Sequence, residues 1–238
     1  MKYREDRMLD LLNDKKVIFF DVGYTLDKPA SSDWMFTNQF LELASEKMKQ
    51  RTETDIQRAR DAGLRFLARD HLVRTVEAEV QNFLDYYSII SDQLNLGLSE
   101  KEREQIARDR ACNMKNYIPY PGIKEVLSML SKTHKLGIIS DTWPSIEPQL
   151  EYIGVSQYLS FCTFSCYVGV FKPDQRIYLD ALSKCGIPAE ETVFIDDVVR
   201  NLDGAAALGI TPILIAANPE ADVETNYLKI HDLRELIR

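Results

Sequence analysis

Side chains that can bind or transfer an anion recur in this sequence at matching places, each beside the end of an apolar run or the start of a helix. They are Asp21, Ser140, Asp141, Lys172, Asp196 and Asp197. Carboxylates grouped without histidine or cysteine favour Mg²⁺, which prefers oxygen ligands. A lysine and a hydroxyl can hold phosphoryl oxygens, and a carboxylate can attack phosphorus to form an aspartyl-phosphate. The residue types therefore predict a site for an anion together with a hard divalent cation.

The apolar runs before these side chains are short and continuous, as is typical of strands buried on both faces of a sheet. The predicted strands cover 17–20, 136–139, 159–168, 192–195 and 212–215. Helical patterns alternate with them over 121–133, 144–153, 174–185 and 199–208. This alternation predicts an α/β fold of three layers, with a parallel sheet between helices. Because the carboxyl ends of parallel strands meet at one edge, the side chains named above are expected to converge there.

The stretch from residue 31 to residue 116 differs, because its apolar residues recur at three- and four-residue spacing and show no strand pattern. The predicted helices cover 33–50, 53–71, 74–95 and 100–116. Ser99 and Glu102 form a capping box before the last of them. We therefore expect an α/β core of residues 1–27 and 117–238, with an all-helical domain inserted at residues 28–116. A short amphipathic helix is also predicted over residues 3–12.

Composition and charge narrow the class of protein. The 238 residues carry 29 basic and 37 acidic side chains, a net charge of −8, and no basic region of the kind that binds nucleic acid. No run approaches the roughly 20 apolar residues of a membrane span. The N-terminus lacks the apolar segment of a secretory signal, and the four cysteines fit a reducing compartment. These features predict a cytoplasmic protein whose partner is a small molecule rather than nucleic acid or a membrane, and they leave protein partners open.

Four segments resemble, in order and spacing, the motifs of the haloacid dehalogenase (HAD) superfamily. They are Phe20-Asp21-Val22-Gly23-Tyr24-Thr25-Leu26, Ile138-Ile139-Ser140, Phe171-Lys172-Pro173-Asp174 and Phe194-Ile195-Asp196-Asp197. The resemblance covers residues 15–27 and 117–215, and the helical stretch is similar to the cap domain of that superfamily. It implies a Rossmann-like core, Mg²⁺ as cofactor, and hydrolysis of a small phosphorylated metabolite.

The resemblance also implies a role for each matching residue. Asp21 would be the nucleophile, and Ser140 and Lys172 would complete the catalytic set around the phosphoryl group. The implied metal ligands are Asp21, the backbone carbonyl of Gly23, Asp196 and Asp197, with Asn201 nearby. The implied substrate contacts are Ser140, Asp141, Lys172 and Thr25.

The sequence departs from the phosphatases of that superfamily at Gly23, where a second Asp usually protonates the leaving group and then activates water. Acid–base catalysis of this kind contributes roughly 10²–10⁴-fold to the rate. We therefore favour a metal-dependent phosphohydrolase that is slow, or that acts on activated phosphates whose leaving groups need no proton. Asp27, Asp141, Tyr24 or a residue of the inserted helices could supply the proton instead.

Three other functions stay open. A 2-haloacid dehalogenase also lacks the second Asp, but it needs no metal and would not require the pair Asp196 and Asp197. A phosphonate hydrolase needs a lysine from the inserted helices. The candidates for that lysine are Lys47, Lys49, Lys101 and Lys115. A core without activity would bind Mg²⁺ and phosphate as a binding or regulatory module.

The remaining polar and aromatic residues fall outside the motifs. Trp34 and Lys28 follow closely on the loop that carries Asp21, and we predict that they contact the substrate. The arginines of the inserted helices match the acids in number, which predicts a solvated face. The histidines, which we place at the surface, are His71, His134 and His231.

Overall fold

A computed structural model of the chain, which describes residues 11–237, contains a six-stranded parallel sheet and a separate two-stranded antiparallel ribbon. The strands are β1 (Val17–Phe20), β2 (Asp27–Pro29), β3 (Tyr117–Pro119), β4 (Lys135–Ser140), β5 (Leu159–Phe164), β6 (Thr192–Asp196), β7 (Thr211–Ile215) and β8 (Leu228–Ile230). The sheet has the order β5-β4-β1-β6-β7-β8, and β2 pairs with β3 in the ribbon.

Helices cover the sheet and fill the stretch between β2 and β3. They are α1 (Asn38–Met48), α2 (Glu53–Leu67), α3 (Val76–Gln93), α4 (Glu100–Cys112), α5 (Ile123–Leu130), α6 (Ile146–Tyr152), α7 (Ser165–Val168), α8 (Gln175–Cys185) and α9 (Val199–Ala206). No helix in the described part of the chain has the length and apolar character to cross a membrane.

Strand β1 shows why the molecule has three layers. All four of its residues are buried, and successive side chains point to opposite faces of the sheet. Ile18 and Phe20 share a core cluster with residues of α5 and α6. Val17 and Phe19 share the cluster on the other face with residues of α8 and α9. The predicted α/β architecture is confirmed.

The register of β1 places Asp21 at the middle of the sheet edge. Phe20 pairs with Ile138 of β4 on one side and with Ile195 of β6 on the other. Asp21 extends this register by one residue, and its backbone N–H donates to the carbonyl of Ile195 at 2.9 Å. The ends of β4 and β6, which carry Ser140 and Asp196, therefore lie on either side of Asp21.

Helices α1–α4 have a hydrophobic core of their own, apart from the two cores of the sheet. Its fully buried members include Phe40, Phe83, Tyr86, Tyr87 and Ile90. The capping box of Ser99 and Glu102 opens α4 as the sequence predicts. At the base of these helices the ribbon pairs Asp27 with Pro119 and Pro29 with Tyr117.

The structure corrects several element predictions. The predicted strand over 159–168 ends at Phe164, because Ser165–Val168 forms the helical turn α7. Helix α1 begins at Asn38 rather than near residue 33, since Thr37 caps it by accepting from the Phe40 N–H. The short strands β2, β3 and β8 were not predicted. The helix predicted over residues 3–12 falls on positions that lie almost entirely outside the described residues.

Candidate active site

Lys172, a buried residue of the loop before α8, forms ion pairs with carboxylates at the ends of β1 and β6. The Lys172 ammonium lies 2.9 Å from Asp21 Oδ1 and 2.7 Å from Asp196 Oδ2, and its side chain is almost fully buried. Burial opposes this positive charge, but the carboxylates of Asp196 and Asp21 raise the pKa of Lys172 above its ordinary value. The lysine is therefore a fixed cation at the centre of the sheet edge.

Three carboxylates share this edge and could bring one oxygen each to a common centre. Oxygens of Asp21, Asp196 and Asp197 lie within 4.8 Å of one another. Burial, followed by the charges of Asp21 and Asp196, raises the pKa of Asp197 to about 8. One ammonium cannot neutralise three carboxylates, so the cluster favours either a proton or a further cation. A set of carboxylate oxygens without nitrogen or sulfur donors fits Mg²⁺.

Hydrogen bonds hold Asp196 in place. Its Oδ1 accepts from the backbone N–H of Val198 at 2.7 Å, and the Asn201 amide donates to both of its oxygens at 3.1 and 3.2 Å. Asn201 thus lies beside the carboxylate cluster, as predicted for it. The turn between β6 and α9 supplies Val198, and the first turn of α9 supplies Asn201.

The end of β4 places a serine hydroxyl and a further carboxylate at the site. Ser140 is its last residue, is buried, and faces the same cavity as Asp21. Asp141 follows at the cavity edge, where its Oδ1 accepts from the backbone N–H of Lys172 at 2.9 Å. This bond joins the β4 loop to the lysine loop, so the structure gives Asp141 a positioning contact.

The cavity over this cluster has a volume of about 660 Å³ and receives residues from both the sheet edge and the inserted helices. From the sheet edge come Asp21, Gly23, Ser140, Asp141, Lys172, Asp197 and Asn201. From the insertion come Ser32, Asp33, Trp34, Met35, Arg60, Leu64 and Arg110. The insertion thus contributes aromatic and apolar side chains, a serine, two arginines and Asp33, which forms an ion pair with Arg60.

Trp34 lies against the glycine at which this sequence departs from the phosphatase pattern. A Cβ placed on Gly23 would come within 3.1 Å of Trp34 Cζ2, tighter than ordinary contact. The next residue, Tyr24, has a positive φ of 56° and meets the Trp34 ring edge-on, with ring centroids 5.3 Å apart. The indole therefore lies where a side chain at position 23 would begin.

Two predicted contacts do not reach the cavity. Thr25 is fully buried and its hydroxyl faces protein, because the loop after Asp21 turns back through a hydrogen bond from the Thr25 N–H to the Val22 carbonyl. Lys28 projects from the ribbon over the ring of Tyr120. Trp34 does line the cavity, and its contact with a substrate stays a prediction.

Of the alternative proton donors, Tyr24 and Asp141 line the cavity, whereas Asp27 does not. Asp27 is buried and accepts from the Gln149 amide at 2.6 Å. Burial, which outweighs that hydrogen bond, raises the pKa of Asp27 to about 7. Asp27 therefore keeps its proton to a higher pH than an exposed aspartate, but it lies outside the cavity in which the sequence analysis made it a candidate proton donor.

The prediction that all three histidines lie at the surface is wrong for His71. Its ring stacks on Phe171 with centroids 3.8 Å apart, and its Nε2 lies 2.7 Å from Ser165 Oγ. Burial lowers the pKa of His71 to about 4, so the ring is neutral at pH 7. The prediction of a solvated face fails for Arg110, which is 8% exposed. Sequence spacing could not show that either residue faces another part of the fold.

A parallel sheet between helices, whose central strand leads into a carboxylate beside a lysine and two further carboxylates, is the arrangement of an α/β enzyme with its site at the carboxyl ends of the strands. The sequence profile of the haloacid dehalogenase-like hydrolases matches residues 15–209, and the chain belongs to that family. The predicted superfamily and enzyme class are thereby confirmed.

Known proteins similar to this chain include phosphatases and dehalogenases. GMP/IMP nucleotidase YrfG of Escherichia coli (strain K12) is 29% identical over 171 residues, 67% of this chain and 72% of that protein. The HAD-hydrolase YfnB of Bacillus subtilis, solved with bound magnesium, has a TM-score of 0.65 at 16% identity, covering 93% of this chain and 96% of that chain. A 2-haloacid dehalogenase from Pseudomonas syringae pv. Tomato DC3000 has a TM-score of 0.62 at 20% identity, covering 94% and 96%. At these identities the solved structures establish the fold.

Proposed function

We propose that the chain is a Mg²⁺-dependent phosphohydrolase that acts through an aspartyl-phosphate at Asp21. The observation that carries this proposal is the cluster at the sheet edge, in which Lys172 bridges Asp21 and Asp196 while Asp197 completes a set of oxygen ligands. A dehalogenase has no need of such a set. The similarity to a GMP/IMP nucleotidase supports a phosphorylated substrate.

In the proposed reaction, an oxygen of Asp21 attacks phosphorus. The P–O bond to the leaving group breaks, and its electron pair stays on the leaving oxygen. Water then attacks phosphorus, and the P–O bond to Asp21 breaks with its electron pair left on the carboxylate. Inorganic phosphate leaves with the oxygen of the water, one proton of which stays on phosphate while the other passes to solvent. Lys172 and Ser140 stabilise the charge on the phosphoryl oxygens during both steps.

Bound Mg²⁺ would supply further positive charge at the phosphoryl oxygens. Its proposed ligands are Asp21, the carbonyl of Gly23 and Asp197, with Asp196 close by. Asp196 is already bonded to Lys172, Val198 and Asn201, so it is better placed to orient the lysine than to give an oxygen to the metal.

We also propose that residues 28–116 form a cap domain over residues 1–27 and 117–238. The separate hydrophobic core of α1–α4 supports this division, as does the ribbon of β2 and β3 at their base. In this arrangement the cap would exclude water from the cavity and select the substrate.

The phosphonate hydrolase alternative finds no support in the cavity. The four cap lysines that it could use, Lys47, Lys49, Lys101 and Lys115, are all exposed, and none of them lines the cavity.

The test is release of inorganic phosphate from p-nitrophenyl phosphate and acetyl phosphate, with and without Mg²⁺. We expect release to need the metal and to fall at least about 10³-fold in Asp21→Asn, because the nucleophile is lost. Asp92→Asn, at an exposed position on α3, is the matched control and should retain activity. If wild type and Asp21→Asn release phosphate equally, the proposal is wrong. Tight Mg²⁺ and phosphate binding without turnover would indicate a binding module, and halide release from 2-chloropropionate a dehalogenase.

A further inference from the structure

Arg110 brings a buried positive charge from α4 to the cavity that also contains Asp21. Its side chain lines this cavity and is 8% exposed. The guanidinium lies 5.0 Å from the Phe83 ring and 5.9 Å from the Tyr117 ring, and Nη1 donates to the Tyr117 hydroxyl at 2.7 Å. These aromatic contacts fix the plane of the guanidinium.

No carboxylate of the described residues lies within 4.0 Å of this guanidinium, and its Nε is buried without an acceptor. Glu79 attracts Arg110 from a greater distance. Both Glu79 oxygens are already engaged by Ser145, whose backbone N–H and hydroxyl donate to them at 2.7 and 2.6 Å. Arg110 therefore has no carboxylate in direct contact among the described residues, and its Nε–H has no acceptor there.

A buried, unpaired guanidinium is costly, because arginine cannot shed its proton and loses the water that would solvate it. An anion that enters the cavity would remove this cost. The phosphoryl group of a substrate would be held at Asp21 and Lys172, and Arg110 makes no hydrogen bond or ion pair to either of them, so we assign the anion at Arg110 to another part of the same molecule.

We infer that the substrate carries a second anionic group, a carboxylate or a phosphate, which Arg110 binds on the cap side of the cavity. This inference rests on the proposed function and narrows the substrate to phosphomonoesters with two anionic ends. Trp34 and Trp143 line the same cavity, so the part of the molecule that joins the two ends meets aromatic surfaces.

The experiment measures binding with phosphonates, whose P–C bond does not undergo this hydrolysis. Straight-chain alkylphosphonates of two to five carbons, ending in methyl, carboxylate or a second phosphonate, are titrated by calorimetry with Mg²⁺ present. At one chain length the wild type should bind an anionic probe at least about tenfold more tightly than the methyl-ended one, because charge-assisted hydrogen bonds are among the strongest. The tighter of the two anionic probes identifies carboxylate or phosphate.

Arg110→Met should reduce this ratio to about one, whereas Arg108→Met, on the exposed side of the same helix, should preserve it. If Arg110→Met does not fold, Arg110→Lys takes its place in the test. This variant keeps the charge but lacks the planar fork, so the ratio of the two affinities should be intermediate. The inference is overturned if the wild type binds the anionic probes no more tightly than the methyl-ended one at every length, or if Arg110→Met folds and keeps the preference.

Phosphate release is measured separately on the same preparations. A preference for anionic probes without Asp21-dependent release would refute the hydrolase and keep the Arg110 subsite. Asp21-dependent release without a preference for anionic probes would refute the Arg110 subsite and keep the hydrolase.

Discussion

Gly23 and Trp34 together determine what kind of leaving group this site can expel. Position 23 offers no carboxylate, and the indole fills the space beside its Cα. An aryl or acyl oxygen can leave as an anion, whereas an alkoxide needs a proton. We therefore expect kcat/KM to be roughly 10²–10⁴-fold higher for aryl phosphates than for alkyl phosphates.

A series of substituted phenyl phosphates tests this expectation. The logarithm of kcat/KM should fall steeply as the pKa of the leaving phenol rises. A flat dependence would mean that another group protonates the leaving oxygen, and Tyr24 and Asp141, which line the cavity, would then be the first to substitute.

A carboxylate restored at position 23 should raise the turnover of alkyl phosphates more when the indole is removed. In Gly23→Asp the new Cβ would meet Trp34 at 3.1 Å, so the side chain or the ring must shift. We expect Gly23→Asp combined with Trp34→Ala to raise alkyl phosphate turnover about tenfold or more relative to Trp34→Ala, and Gly23→Asp alone to raise it little. The ratio of alkyl to aryl kcat/KM is the measurement. An equal gain in the single variant would show that the indole does not restrict this position.

At the scale of elements, Glu79 connects helix α3 to the loop between β4 and α6. It is fully buried and accepts two hydrogen bonds from Ser145. Burial, which outweighs these bonds, raises the pKa of Glu79 from 4.5 to about 7. The folded state then holds the Glu79 proton more tightly than the unfolded state, so stability from this group is complete below pH 4.5 and is lost as pH rises through 7.

Replacing Glu79 by Gln should therefore flatten part of the pH dependence of stability. Between pH 4.5 and 8 the free energy of unfolding should fall by about 3 kcal/mol less in Glu79→Gln than in wild type, since each pKa unit corresponds to about 1.4 kcal/mol. Asp27 titrates in the same range in both proteins and cancels in the difference. Urea denaturation across this range is the measurement, and Glu77→Gln, exposed on the same helix, is the control. Parallel wild-type and Glu79→Gln curves would contradict the assignment.

The sequence predicts elements well where one pattern determines one outcome. Apolar runs such as Val17–Phe20 that alternate with helical patterns are typical of a parallel sheet covered on both faces, so the meeting of Asp21 with Ser140 and Asp196 follows from their positions at strand ends. The limit of prediction from sequence is seen at Glu79 and Arg110, two charged residues of the helices that are buried in the structure. Helical spacing indicates which residues share a face, but not which face meets another element, so both looked like ordinary solvated charges.

The longer strands and helices were predictable because their residues repeat an apolar pattern several times. The smallest elements were not predictable. Strands β2, β3 and β8 have three residues each, and prolines occupy one position in both β2 and β3. Runs of this length show no periodicity, so only the pairing partner makes them strands. The contact between Gly23 and Trp34 likewise depends on how the loop after β1 meets the inserted helices.

At the scale of the whole molecule, stability should depend jointly on Mg²⁺ and pH. A ligand that binds only the folded state stabilises it by about 2.7 kcal/mol at a concentration of 100 times its Kd. Because the pKa of Asp197 is raised to about 8, metal binding below that pH must displace a proton, and affinity should increase as pH rises from 6 to 8. The rise in melting temperature caused by a fixed Mg²⁺ concentration should therefore be larger at pH 8 than at pH 6.

Thermal denaturation at both pH values, with ionic strength matched by NaCl, measures this coupling. Asp197→Asn should lose most of the Mg²⁺ effect at both pH values, because it removes a proposed ligand, while Asp92→Asn should behave as wild type. The metal-free Asp197→Asn protein should also gain stability relative to wild type above pH 8, since an ionised Asp197 repels Asp21 and Asp196. An Mg²⁺ effect that is equal at pH 6 and 8, or that survives in Asp197→Asn, would place the cation elsewhere in the molecule.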